Sequence, residues 1–203
     1  MQLRFETGLT GEEYVTREAW REARLERCPV HSGGGCEFAR HGTYARKQPR
    51  GTLIARWYCP QARCTFSLLP DCLAARFPGT LAQIERVVET VETAVSLEAA
   101  AEVLRPDAVS LPSALRWIRR RVTPVRAALG VLITLFAHEL VGCAPRIGAL
   151  RARLGVASVL GAMRAFAQAH LQALGSPLGF RRRLNRAAKR ESAFQHAMGP
   201  DPP

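Results

Sequence analysis

Lysine is almost missing from this chain. Of its 29 basic residues only Lys47 and Lys189 are lysines, so the positive charge is carried by planar guanidinium forks that pair bidentately with phosphate and guanine edges. Acidic residues are scarce as well, but only in one half. Residues 1–107 hold 14 basic and 14 acidic groups, whereas 108–203 hold 15 basic groups against Glu139, Glu191 and Asp201. The whole formal charge of +12 therefore lies beyond residue 107. A one-sided positive field favours a polyanionic partner, either nucleic acid or an acidic membrane surface. A GC-rich coding sequence would account for arginine over lysine, but not for where the arginines are. The same shortage of acids bears on catalysis. Metal-dependent strand transfer needs several carboxylates gathered on a rigid scaffold to hold two divalent ions, and this half offers three acids and no β-rich segment to mount them. The chain reads as a protein without catalytic activity.

An opening apolar run is also missing. Met1-Gln2-Leu3-Arg4-Phe5-Glu6 has no signal-peptide core, so a reducing cytoplasm is the expected setting, where grouped cysteines bind metal more often than they form disulfides. Long apolar runs are few. Ala127 to Pro145 contains no Arg or Lys, but it carries His138 and Glu139 and is barely of spanning length. It is expected to be a buried helix, with that His–Glu pair satisfied in the interior and no membrane partner.

What is present is concentrated between Cys28 and Pro70, which holds four of the six cysteines. Two thiol clusters, Cys28-Pro29-Val30-His31-Ser32-Gly33-Gly34-Gly35-Cys36 and Cys59-Pro60-Gln61-Ala62-Arg63-Cys64, flank two β-like segments. This is the layout of a zinc ribbon, in which two loops each present two ligands to one tetrahedral Zn2+. A segment this short cannot bury enough apolar surface to fold on that alone, and a structural zinc would hold it. The spacing leaves two assignments open. Either the three glycines turn a long loop so that Cys28, Cys36, Cys59 and Cys64 bind the ion, or His31 supplies a ligand through Cys-x2-His and Cys36 is spare. The glycines, suited to a sharp turn, favour the four cysteines. Cys72 is expected in the core.

Between the clusters, Phe38 to Arg46 and Thr52 to Tyr58 read as strands joined by a turn at Gln48-Pro49-Arg50-Gly51. Strict alternation puts Arg40, Tyr44 and Arg46 on one face, where Arg40 and Arg46 would contact nucleic acid or, alternatively, guard a solvated edge. The run Cys-Pro, Arg40-His41-Gly42-Thr43-Tyr44, Arg56-Trp57-Tyr58-Cys59-Pro60 and Thr65-Phe66-Ser67-Leu68-Leu69-Pro70 resembles the zinc ribbon at the N-terminus of bacterial transposases and related small proteins of insertion elements. The resemblance covers residues 28–70 well and the following helical region more weakly. It implies a ribbon that precedes a helix-turn-helix and assists binding to DNA ends; by itself it does not imply recombination chemistry.

The flanking sequence is helical. Thr10 and Glu13 form a capping-box pattern for a helix over 10–27, with Tyr14, Trp20 and Leu25 on its apolar side. Thr80 opens a helix to about Val95, striped by Leu81, Ile84, Val87, Val88 and Val91. Ser96 opens Leu97 to Leu104, and Ser110 opens a third helix to Arg121 with Pro112 in its first turn. These three suit a helix-turn-helix, with Leu111, Leu115 and Ile118 inward and Ser113, Arg116, Arg119 and Arg120 outward toward bases and phosphates; a plain three-helix bundle fits the same pattern. Trp117 would stack on a base or, as is commoner, pack on the bundle. Pro124 then starts an apolar helix to about Gly142, followed by helices near 144–154 and 157–174. The basic tail, with Arg181, Arg182 and Arg183, is a further nucleic-acid contact.

The expected fold is mainly α with a small β zinc ribbon near the N-terminus. Its units are an N-terminal helix (1–27), the ribbon (28–70), a helix-turn-helix-like unit (71–122), an apolar helical bundle suited to homodimerisation (123–178) and a basic tail (179–203). The expected function is zinc-dependent binding of double-stranded DNA. RNA binding, a protein-adaptor role and, last, a complete transposase are the alternatives.

Overall fold

A computed structural model describes residues 1–107 and 110–181. A four-stranded sheet lies between an N-terminal layer and a helical layer. Strand β1 (Gln2–Phe5) pairs in parallel with β4 (Cys64–Pro70), and β4 pairs antiparallel with β3 (Leu53–Cys59), which pairs antiparallel with β2 (Ala39–Ala45), giving the order β1-β4-β3-β2. The two expected strands form close to their expected bounds as β2 and β3; β1, too short and mixed to show a pattern, and β4 are additions.

Alternation divides the sheet between two cores. Ala55, Trp57 and Cys59 of β3, with Phe66 and Leu68 of β4, face the N-terminal layer and pack with Tyr14, Ala19, Trp20, Cys28 and Cys36. Ile54 and Leu69 point the other way, into a larger core built by the helices. Period-two geometry makes this double use possible.

The N-terminal layer departs from the expected 18-residue helix. Helix α1 (Gly11–Thr16) starts with the capping box of Thr10 and Glu13, but Glu18 is left-handed at φ 49°. A short 3-10 turn, Ala19–Arg21, follows. The break turns Trp20 onto the sheet, and Tyr14 donates its hydroxyl to the Leu53 carbonyl at 3.0 Å.

Helix α2 (Leu81–Thr93) begins at Thr80 in a second capping box, completed by Gln83, and buries Leu81, Ile84, Val87 and Val88. Helix α3 (Leu97–Leu104) is capped by Ser96. Helix α4 runs from Leu111 to Leu135 without the break expected at Pro124. Proline removes one backbone donor and usually bends or ends a helix. Here Val122 and Val125 on either side of it are anchored in the core, and the carbonyl it leaves free is that of exposed Arg120. The inward stripe of α4 is Ala114, Ile118, Val122, Val125, Leu129 and Leu132, so Leu111, expected inside, is exposed. Helices α5 (Ile147–Leu154) and α6 (Val159–Phe166) complete the layer. The segment after α4 turns at once, which leaves His138 and Glu139 exposed rather than buried as a pair. Among the described residues no helix is long and apolar enough to cross a membrane.

Acids on α2 organise the last two helices. Neither Arg146 nor Ser158 caps its own helix by a side chain. Instead Glu92 accepts from the backbone N–H groups of Ile147 and Gly148, and buried Glu85 accepts from Val159 and Leu160, both at 2.9 Å. A carboxylate against the first N–H groups of a helix satisfies orphan donors and the positive end of the dipole. Arg151 bridges the set, donating to Glu85 at 2.7 Å and closely to Glu89.

The connector between β4 and α2 is buried although irregular, with Leu73, Ala74 and Ala75 fully enclosed. Its carbonyls need donors, and two arginines supply them. Arg164 of α6, 1% exposed, donates to the carbonyls of Asp71, Leu73, Pro177 and Leu178. Arg46 donates to Ala74 at 3.0 Å and also to Phe77. Cys72 is half-buried between the two cores.

Candidate metal centre and basic face

Three loops converge at the edge of the N-terminal layer. Cys28 and His31 leave the segment after the 3-10 turn, Cys36 follows the glycines, and Cys59 closes β3. Their donor atoms, three Sγ and one imidazole nitrogen, all lie within 4.8 Å of one another. His31 Nδ1 is 3.6 Å from Cys28 Sγ and 3.3 Å from Cys59 Sγ. Zinc bonds of about 2.3 Å to sulfur and about 2.0 Å to nitrogen at tetrahedral angles set an S···N edge of about 3.5 Å. The two His31 distances match that edge, and the four donor atoms are close enough together to hold one cation.

The surroundings support that fit. Gly34 and Gly35 have φ of 83° and 76°, left-handed values that glycine adopts at no steric cost, and they carry the chain back so that Cys36 reaches the group. The Gly34 N–H bonds to the His31 carbonyl at 3.0 Å. Gln61 ties the two loops by donating to the Gly35 carbonyl at 3.1 Å, and the Ala62 N–H points at Cys59 Sγ at 3.4 Å. The sulfurs also constrain one another. Burial pushes the Cys28 thiol up, but hydrogen bonds from the Val30 and His31 backbone and from the His31 and Cys36 side chains bring it down to about 6. Cys36 is pushed up to about 11, by burial first and then by bonding and charge from Cys28 and Cys59. Three sulfurs this close do not all carry negative charge unless a cation joins them.

The membership differs from both assignments offered by spacing. Cys28, Cys36 and Cys59 are brought together as expected; the fourth position is held by His31, and Cys64 lies outside the group. Cys59 and Cys64 are register partners across β3 and β4, yet only Cys59 is in the group. Cys64 faces the same side as Phe66 and packs, half-buried, against the N-terminal core. The Cys-x2-His spacing did contain the signal for His31.

The residues expected at a nucleic-acid interface separate into two kinds. Arg40 and Arg46 are engaged within the fold: Arg40 donates to the Trp20 carbonyl at 2.9 Å and lies over Trp57, while Arg46 serves the connector. Arg46 keeps to the side of Tyr44, but Arg40 does not. A bulge between Arg40 and Thr43, with Gly42 at φ 79°, shifts the alternation, so Arg40 pairs with Trp57 while Tyr44 pairs with Ile54 toward the helical core. Extra residues of this kind reset the pleat.

On α4 the outward arginines Arg116, Arg119 and Arg120 are exposed. Ser113 is half-buried, and its hydroxyl donates to the Ser110 carbonyl at 2.8 Å. Among the described residues, ion pairs involve Arg4, Arg17, Arg21 and Arg151, and none of the α4 arginines. Arg181 is exposed; Arg182 and Arg183 lie outside the described residues. Comparison of the chain with family models, curated proteins and solved structures finds no match in any of the three.

Proposed function

We propose that this chain is a zinc-organised, non-catalytic protein that binds double-stranded DNA through the basic side of α4 and the arginine-rich segment beyond it. One observation carries the proposal. The three acids of α2 are consumed internally, Glu85 and Glu92 on helix N-termini and Glu89 on Arg151, and although Glu98 and Glu102 of α3 are exposed, Arg116, Arg119 and Arg120 stand exposed on α4 with no carboxylate partner among the described residues. Charge left uncompensated on one side of a helix is suited to a polyanion.

The Cys28–His31–Cys36–Cys59 group supports zinc as the ion, since thiolates and imidazole at tetrahedral spacing favour it over the oxygen-seeking cations. When bound, zinc would supply cross-linking and no chemistry on a substrate; the chain's own residues bind and orient. α2, α3 and α4 pack on one another, an arrangement compatible with a helix-turn-helix in which α4 approaches the duplex.

The test is equilibrium binding to a fluorescent duplex across salt. Four phosphate contacts would weaken binding about a hundredfold between 50 and 200 mM salt. Affinity unchanged over that range, or preference for structured RNA over duplex, would contradict the proposal.

A further inference from the structure

Beside the outward arginines is a cleft of about 340 Å³, lined by Arg105, Ser113, Arg116, Trp117, Arg120 and Arg121. Four of these six are guanidinium groups, and no described lining residue is acidic. Five sit on one side of α4, at the spacing that brings successive helical turns into line. Arg105 enters from the end of α3 and closes the side.

Trp117 organises the cluster. The Arg121 guanidinium lies 3.8 Å and that of Arg105 5.2 Å from its ring centroid. Arg121 is fixed further by its bond to the Trp117 carbonyl at 3.2 Å. The indole itself leans on the helical core. With two cations over its ring, Trp117 serves as a platform for guanidinium groups and not as a stacking surface for a base. Cation–π contact of this kind holds arginines in place without neutralising them. Arg121 is held below the usual arginine range by burial and by the positive charge of Arg105, a repulsion that an anion between them would relieve. Ser113 spends its hydroxyl proton on Ser110, so the donors facing the cleft are those of the arginines.

We propose that this cleft receives a single backbone phosphate of the bound nucleic acid, with Arg105, Arg116, Arg120 and Arg121 converging on it. The proposal deepens the DNA-binding reading and rests on it. A phosphate's oxygens accept several charge-assisted hydrogen bonds at once, and fixed forks recognise it better than mobile lysines would.

The experiment uses the full-length, zinc-loaded protein and a fluorescent duplex, with the salt dependence measured for wild type, Arg105→Gln/Arg121→Gln, Arg116→Gln/Arg120→Gln and the quadruple variant. Arg126→Gln, an exposed arginine of α4 outside the cleft, is the control. Unchanged circular dichroism establishes that each variant is folded. Convergence on one phosphate predicts that the quadruple variant loses at least tenfold in affinity. Its log–log salt slope should fall by about one contact, where four independent contacts would remove about four. Titration of wild type with inorganic pyrophosphate should also change tryptophan emission, and Trp117→Phe should abolish the change.

Duplex binding by wild type with an unaltered slope in the quadruple variant would overturn the cleft and leave DNA binding standing. A slope falling by about four would overturn the single-phosphate geometry. Pyrophosphate binding without binding to any polynucleotide would overturn both the backbone assignment and the DNA-binding reading.

Discussion

Stripped of metal, the chain should keep most of its helical far-ultraviolet signal and lose the fixed environment of Trp20 and Trp57. Both indoles are buried in the N-terminal core, beside Cys28, Cys36 and Cys59. That core is small, and its loops, especially Ser32 to Gly35, are exposed and held by few bonds. Zinc sites in small domains contribute on the order of 10 kcal/mol of apparent binding free energy that is also folding free energy. Removing it leaves the layer without enough buried apolar surface to stay ordered. The helical core, by contrast, is a separate cluster running from Ile54 to Phe180. Chelation should therefore shift tryptophan emission to the red and collapse near-ultraviolet dichroism, while readdition of zinc restores both. Cys59→Ala should behave as the stripped protein does. An unchanged emission spectrum in verified metal-free protein would refute this division of labour.

The second large effect is expected at Arg164. Its guanidinium stays charged inside the protein even though burial draws it down to about 10, and it has no direct carboxylate partner among the described residues. Four backbone carbonyls satisfy it instead, and Phe180 lies beside it with the cation 5.8 Å from the ring centroid. Truncation to alanine would leave carbonyls of Asp71, Leu73 and Leu178 without this donor, at about 1–3 kcal/mol for each buried group left unpaired, and would open a void. A total loss of about 4 kcal/mol or more is expected, lowering the melting temperature by about 10 °C or more in a chain of this size. Arg164→Lys should recover only a minor part, because one ammonium cannot span four acceptors set around a planar fork. Thermal denaturation of the zinc-loaded protein measures both; a shift under 2 °C for Arg164→Ala would show that the connector does not depend on it.

Arg164 also marks the limit of sequence reading in this chain. With 29 basic residues, nearly all arginine, nothing local separates one that feeds a buried loop from one that faces solvent. Strand alternation places Arg46 on a face open to nucleic acid, whereas its partners, Ala74 and Phe77, lie about thirty positions away. What was legible had a local cause. Thr10, Thr80 and Ser96 announced helix starts because a cap acts within three residues, and the apolar stripe of α2 declared its buried side. Features set by tertiary packing were hidden. Pro124 read as a boundary, and only burial of Val122 and Val125 carries α4 through it. The bulge at Gly42 reversed a face that strict alternation had assigned. At the metal group, three of four ligands followed from cysteine spacing. The fourth, His31, was signalled by the Cys-x2-His spacing, but spacing did not show that it would join Cys36 while Cys64 stays outside.

The central claim is that one tetrahedral ion is held by Cys28, His31, Cys36 and Cys59. Elemental analysis of purified protein, followed by competition with a chromophoric chelator, tests it across three chains. Wild type and Cys64→Ser should each carry one zinc with matching affinity, and His31→Ala should bind at least tenfold more weakly. Loss of zinc from Cys64→Ser together with full retention in His31→Ala would contradict the account.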